Sequence, residues 1–114
     1  MIIDDISFHD SYILEVRETS EQTIDFLLEF PTDWANDVFE EKILRFKDVI
    51  SYHIDEIPFA TRITILQIVN LGQITKTFGT DRNKIETVRN KIEIQTNAGN
   101  RIVEFSECEF ITPK

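Results

Sequence analysis

A chain of 114 residues, 41% hydrophobic and 29% charged, has the size and composition of one globular domain over residues 1–114, large enough to bury a core without disulfides or a metal. Three glycines and three prolines exclude collagen-like and low-complexity structure, and a single cysteine excludes an intramolecular disulfide. A net charge of −9 argues against nucleic acid or an anionic membrane as partner, because phosphate contacts run on Lys and Arg.

Residues 2–8 are short and mixed, and an edge strand is expected there. His9-Asp10-Ser11 reads as a turn, since Asp and Ser side chains bond to nearby backbone amides. Tyr12, Leu14 and Val16 then alternate with other residues. After a polar break at residues 19–22, Ile24, Phe26, Leu28 and Phe30 share one face with Asp25 and Glu29 opposite. This is the period of two expected of half-buried strands, and the pair reads as an antiparallel hairpin. Leu27 interrupts the polar side, which suggests a strand covered on both faces. Pro31 is expected to end the strand, because it has no N–H to give the ladder. Residues 32–37 form a connector with room for a helical turn, since Asp37 and Glu40 have capping-box spacing. It holds the only tryptophan, Trp34, either as a lid on the core edge or as an exposed binding anchor.

Residues 41–55 read as strand, corner at Lys47-Asp48, strand: a central hairpin. Leu44 and Phe46 share a face of the first arm; Ile50, Tyr52 and Ile54 share a face of the second. A loop follows at residues 57–60. Residues 62–69 are rich in Ile, Thr and Val and favour strand. A turn is expected at residues 70–73 and a return strand at 74–78. Residues 79–84 read as loop, with a helical turn continuing through Val88. Residues 91–96 and 101–110 are strands joined at Asn97-Ala98-Gly99-Asn100, where Asn and Gly supply the positive φ a tight hairpin needs. A bulge at Ser106-Glu107 would put Val103, Phe105, Cys108 and Phe110 on one side.

Seven or eight short strands predict an all-β fold, or a β-rich one with one or two short helical turns, arranged as an antiparallel sandwich or partly open barrel. The predicted core is Tyr12, Leu14, Ile24, Phe26, Leu28, Leu44, Phe46, Ile50, Tyr52, Ile92, Ile94, Val103 and Phe105. Nine phenylalanines among many isoleucines agree with sheet rather than helix.

There is no phosphate loop, no Gly-x-Ser-x-Gly, no His-Glu-x-x-His and no paired cysteine. The two histidines, His9 and His53, have Asp10 and Asp55 nearby but no metal-ligand spacing. Adjacent carboxylates such as Asp4/Asp5 and Glu40/Glu41 would point to opposite faces of a strand and cannot easily share a proton. Glu107 and Glu109 flank Cys108 and disfavour a thiolate, so this cysteine reads as a small buried hydrophobe. No catalytic residue, no cofactor and no metal is therefore expected. The opening Met1-Ile-Ile-Asp-Asp has neither a basic region nor a long apolar run; no secretory signal or membrane helix is expected, and the expected location is cytoplasmic.

Phe8-His9-Asp10-Ser11-Tyr12-Ile13, then Ile43-Leu44-Arg45-Phe46 followed by Val49, and finally Lys91-Ile92-Glu93-Ile94 with Gly99 and Phe105 form a layout across most of the chain. It resembles small, mostly uncharacterised bacterial β-proteins, some grouped with immunity proteins of toxin–immunity systems. The resemblance carries over no functional residue. It implies a bacterial cytosolic protein that binds and blocks a toxin.

The charge distribution fits that implication. Residues 1–60 carry fifteen Asp/Glu against four Lys/Arg, a net −11, and residues 61–114 carry six against eight, a net +2. An acidic face would speed capture of a basic protein. The expected contacts are Asp25, Asp33, Asp37, Glu40, Glu41, Asp55 and Glu56, with Trp34 as aromatic anchor; acids alternating with core residues would form an outward row of like charge. Three other readings stand beside this one: a small-ligand module with a pocket between sheets, a metal-dependent enzyme using His9 and His53, and a homo-oligomeric scaffold whose exposed strands pair with copies of itself.

Overall fold

A computed structural model of the protein describes residues 1–19, 21–58 and 62–113. The elements in chain order are α1 (Ile2–Asp5), β1 (Tyr12–Glu18), β2 (Ile24–Asp33), β3 (Val38–Lys47), β4 (Ser51–Glu56), β5 (Ile63–Phe78), β6 (Ile85–Thr96), β7 (Gly99–Phe105) and β8 (Glu107–Ile111). All eight strands belong to one open antiparallel sheet in the order β4-β7-β6-β5-β1-β2-β3-β8. Among the described residues the fold is all-β with a single short helical turn.

The sheet is folded on itself at the seam between β5 and β1, where only Tyr12↔Thr64 and Ile13↔Ile63 are paired. One half is β4-β7-β6-β5 and the other β1-β2-β3-β8, and their inner faces meet. Phe46 on β3 contacts Phe105 on β7 at 4.8 Å between ring centroids, and Phe26 on β2 contacts Tyr52 on β4 at 5.7 Å. β5 leaves β1 at Thr64 and by Asn70 has reached α1, which itself packs on β8. Ile24, Phe26, Leu28, Leu44, Phe46, Ile92, Ile94, Val103 and Phe105 are all buried, as their alternation predicts. Phe8, Phe30 and Phe110 close one end with edge-on ring contacts.

Several local expectations are corrected. Residues 2–5 form a helical turn rather than an edge strand, burying Ile3. The register of β1 on β2 shifts between Ile13 and Glu15, leaving Leu14 without a partner and 39% exposed. That bulge changes the phase, so Ile13 and Val16 face the core, while Tyr12 turns outward against Phe39 and beneath the Arg62 guanidinium. Tyr52, half-buried, packs against the core as expected; Ile50 is half-buried outside it, Ile54 is exposed, and Val49 and Ile65 are buried in the core in addition.

Pro31 does not end β2. The β1 ladder stops at Tyr12↔Glu29, so Pro31 lies where β2 is an edge on that side, and β2 continues to Asp33 opposite Val38. Residues 34–37 are a hairpin turn, not a helical one. The central stretch is a corner and not a hairpin: β3 pairs with β2 and β8, β4 pairs with β7, and the chain crosses between the halves at Asp48, whose φ is 52°. Residues 63–78 form one continuous strand. The expected turn at Asn70 is a bulge, in which Gly72 (φ 88°) donates its N–H to the Asn70 side chain at 2.8 Å. Residues 85–96 are likewise one strand, with no helical turn before Val88. At Ser106 the chain turns a corner from β7 to β8, which does bring Val103, Phe105, Cys108 and Phe110 to the core. Of the loop at residues 57–60, Ile57 and Pro58 are loop, and residues 59 and 60 lie outside the described residues.

One polar group sits deep in this frame. Arg101 on β7, 8% exposed, donates to both Glu56 oxygens at 2.7 and 2.8 Å and to the Tyr52 hydroxyl at 3.0 Å. Thr96 donates to the same carboxylate. Burial pushes the Tyr52 phenol above its usual range, so it remains neutral. Removing one partner of such a pair leaves an uncompensated charge. Glu56→Ala is therefore predicted to cost about 3–5 kcal/mol, read from urea unfolding midpoints. Glu56→Leu combined with Arg101→Met should recover most of that loss; a double variant no more stable than the single one would count against the account.

Candidate partner-binding surface

Between Arg17 and Lys42 the chain has no basic residue and eight carboxylates. Glu18 ends β1 and Glu21 lies in the β1–β2 turn; the antiparallel β2–β3 ladder lays the other six along one hairpin and its turn. In the turn, the Asp33 carboxylate accepts from the Asn36 amide at 3.3 Å and its side chain at 2.7 Å, and the Asn36 side-chain bond holds Asp33 below the usual carboxylate range. Asp37 takes positive φ, 57°, and its N–H reaches Trp34 O at 3.4 Å. This wrap turns Trp34 outward, 59% exposed, beside Val38 at 45%. Trp34 is thus not a lid on the core.

The structure sorts the expected contact residues into two groups. Asp33, Trp34, Asp37, Glu40 and Glu41 come together on the β2–β3 hairpin. Glu41 lies on the outer face directly opposite Glu29, and Glu40 points to the other face, 3.7 Å from Lys42. Asp25, Asp55 and Glu56 do not join them. Asp25 is half-buried and held bidentately by Arg45, its cross-strand neighbour, at 2.8 and 3.0 Å. Asp55 and Glu56 are on β4 at the far edge of the sheet order, where Asp55 is exposed and Glu56 belongs to the Arg101 network. The outward row expected to repel itself is largely compensated: Glu15 pairs with Arg17, Asp25 with Arg45 and Glu29 with Arg62. On the hairpin, Glu40 has Lys42 beside it, while Asp33, Asp37 and Glu41 have no ion-pair partner among the described residues. Sequence reasoning missed Val38; its place just after the turn-forming Asp37 was the available signal.

The other chemistries have specific locations too. His9 Nδ1 bonds Leu66 O at 2.9 Å and its Nε2 lies 3.2 Å from Asp10. His53 is on β4, separated from β5 by two strands, roughly 14 Å at the usual ladder spacing. Among the described residues no group of three or more His, Cys, Asp and Glu converges as for a metal ion, and no helix is long and apolar enough to cross a membrane. The open mouth between the halves has a cleft of about 250 Å³ lined by Glu18, Gln22, Ile50 and Tyr52 among others. A neighbouring groove of about 440 Å³ is lined only by Thr, Glu, Asp, Arg and Lys. Small-molecule sites are concave and mostly apolar, so neither surface favours a ligand module.

No family model, no curated protein and no solved structure matches this chain.

Cys108 packs half-buried against the core, and burial pushes its thiol up to about 11. At pH 8 it is therefore protonated. Alkylation by iodoacetamide at pH 8 should be at least about tenfold slower in the folded protein than in urea, where an ordinary thiol value near 8.5 returns. Equal rates would show an accessible, unperturbed thiol.

Proposed function

We propose that this chain is a non-catalytic binding protein that captures a basic protein through its β2–β3 hairpin, in the manner of an immunity protein occupying a toxin. One observation carries the reading: Trp34 and Val38 stand exposed among Asp33, Asp37, Glu40 and Glu41, with no Lys or Arg between Arg17 and Lys42. Exposed aromatic anchors supply most of the affinity in many interfaces, and surrounding charge supplies approach rate and partner choice. The hairpin offers both on a turn braced by its own hydrogen bonds. Mid-sheet acids are paired with arginines, whereas Asp33, Asp37 and Glu41 on the hairpin have no ion-pair partner among the described residues. The layout's resemblance to bacterial immunity proteins agrees with a cytoplasmic role of this kind.

The test is a pull-down from the native cell with tagged wild-type chain, followed by association rates for the captured protein at several salt concentrations. Glu40→Lys with Glu41→Lys should slow association about tenfold at low salt and change dissociation much less. Trp34→Ala should instead raise the dissociation rate, with a loss of about 2 kcal/mol or more. A rate flat in salt and unchanged by the reversal would remove the proposal.

A further inference from the structure

Beyond Leu71 the β5–β6 pair leaves the body of the molecule. The β1 ladder on β5 ends at Thr64 and the β7 ladder on β6 ends at Asn90, so residues 71–89 form a two-stranded arm with no further strand on either edge among the described residues. The molecule is accordingly long, 59 × 30 × 25 Å, with a radius of gyration of 15.4 Å; a compact chain of this length would have about 13 Å. A two-stranded hairpin alone is marginal in water, and a long bare edge invites pairing.

The arm is not dressed for solvent. Leu71, Phe78, Ile85 and Val88 are 44%, 47%, 66% and 53% exposed, and Phe78 lies directly opposite Ile85, so these two apolar side chains share a face. Its charge is opposite to that of the rest of the chain. Residues 71–89 carry four Lys/Arg against two acids, a net +2, which leaves −11 on the remainder. The surface that answers both properties is the β2–β3 hairpin, with Trp34 and Val38 exposed among four acids.

The arm cannot reach the hairpin of its own chain. Its base is tied down by Lys76 on the buried Glu104 carboxylate and by Arg89 Nε on Asp48 O at 2.9 Å. Asp48 follows the end of β3, while the β2–β3 turn precedes its start, ten residues and roughly 33 Å away. We infer that the occupant is a second copy of this chain: each arm lies against the β2–β3 hairpin of the other, and the reciprocal contact closes at two. The second copy would occupy the same hairpin as the basic protein proposed above and compete with it; the test below uses the purified chain alone, so its failure leaves that capture untouched.

The experiment is sedimentation velocity on the purified chain alone, from low to physiological salt. A dimer mass is expected, weakening as salt screens the contact. Phe78→Ser with Ile85→Ser should give a monomer whose near-ultraviolet circular dichroism is unchanged. Arg82→Glu with Lys84→Glu should weaken the dimer about tenfold, and adding Glu40→Lys with Glu41→Lys to that variant should restore it to within about threefold. A wild-type monomer at 100-fold dilution and at high concentration alike would overturn the inference. So would a dimer that survives the Phe78/Ile85 change, or a charge swap that fails to restore what the single reversal lost. If the arm of a monomeric chain gains hydrogen-exchange protection only when a basic protein is added, the arm belongs to that partner and self-pairing is wrong.

Discussion

The contact of Phe46 with Phe105 is the point on which the two halves of the molecule depend. Both rings are buried, 4.8 Å apart, and each is the last inward residue before its strand leaves one half of the sheet for the other. Just beyond them Ser106 N donates to Lys47 O at 3.0 Å, so the two crossings are tied side by side. The β1–β5 seam has only two residue pairs and cannot by itself fix how the halves face each other. The aromatic cluster does, because an edge-on ring contact is directional as well as apolar. With the halves locked, the β2–β3 hairpin and the β5–β6 arm leave the core from different sides.

Charge follows the same logic. In the middle of the β1-β2-β3 face, strand register sets Asp25 across from Arg45, and local geometry supplies Glu15 and Glu29 with arginines of their own. Cross-strand opposite charges are stabilising and like charges are not. The hairpin lies past the end of the β1 ladder, where fewer neighbours are available to compensate its acids. Asp37 and Glu41 there have no ion-pair partner among the described residues, and they lie on the same hairpin as the exposed Trp34.

What could be read from the sequence was what closes locally. The β1–β2 and β6–β7 hairpins announce themselves through alternation and turn chemistry within about twenty residues, and seven of the nine alternating core residues lie on them, with Leu44 and Phe46 on β3. Pairings between distant segments left no such trace. Nothing in Lys47-Asp48 distinguishes a hairpin from a corner, because the difference lies in whether β7 and β8 are waiting on either side. Asn70 and Gly72 were read as a turn since the same chemistry serves a bulge, and only a paired β6 decides between them. The five-residue hairpin site was legible as acid around a tryptophan. Asp25 and Glu56 were not separable from it by composition, since their neutralisation depends on Arg45 and Arg101 arriving from other strands.

The strand order holds one more consequence. The half built on β5, β6 and β7 takes its outer strand, β4, from earlier in the chain, and the half built on β1, β2 and β3 takes its outer strand, β8, from the very end. Each half is thus completed by a segment that has already been, or has yet to be, delivered through the other. Neither meander is a finished folding unit, and a nascent chain emerging from the ribosome cannot bury Phe46 until β7 and β8 have both followed it. Such interlocking favours melting of the two halves together rather than one after the other.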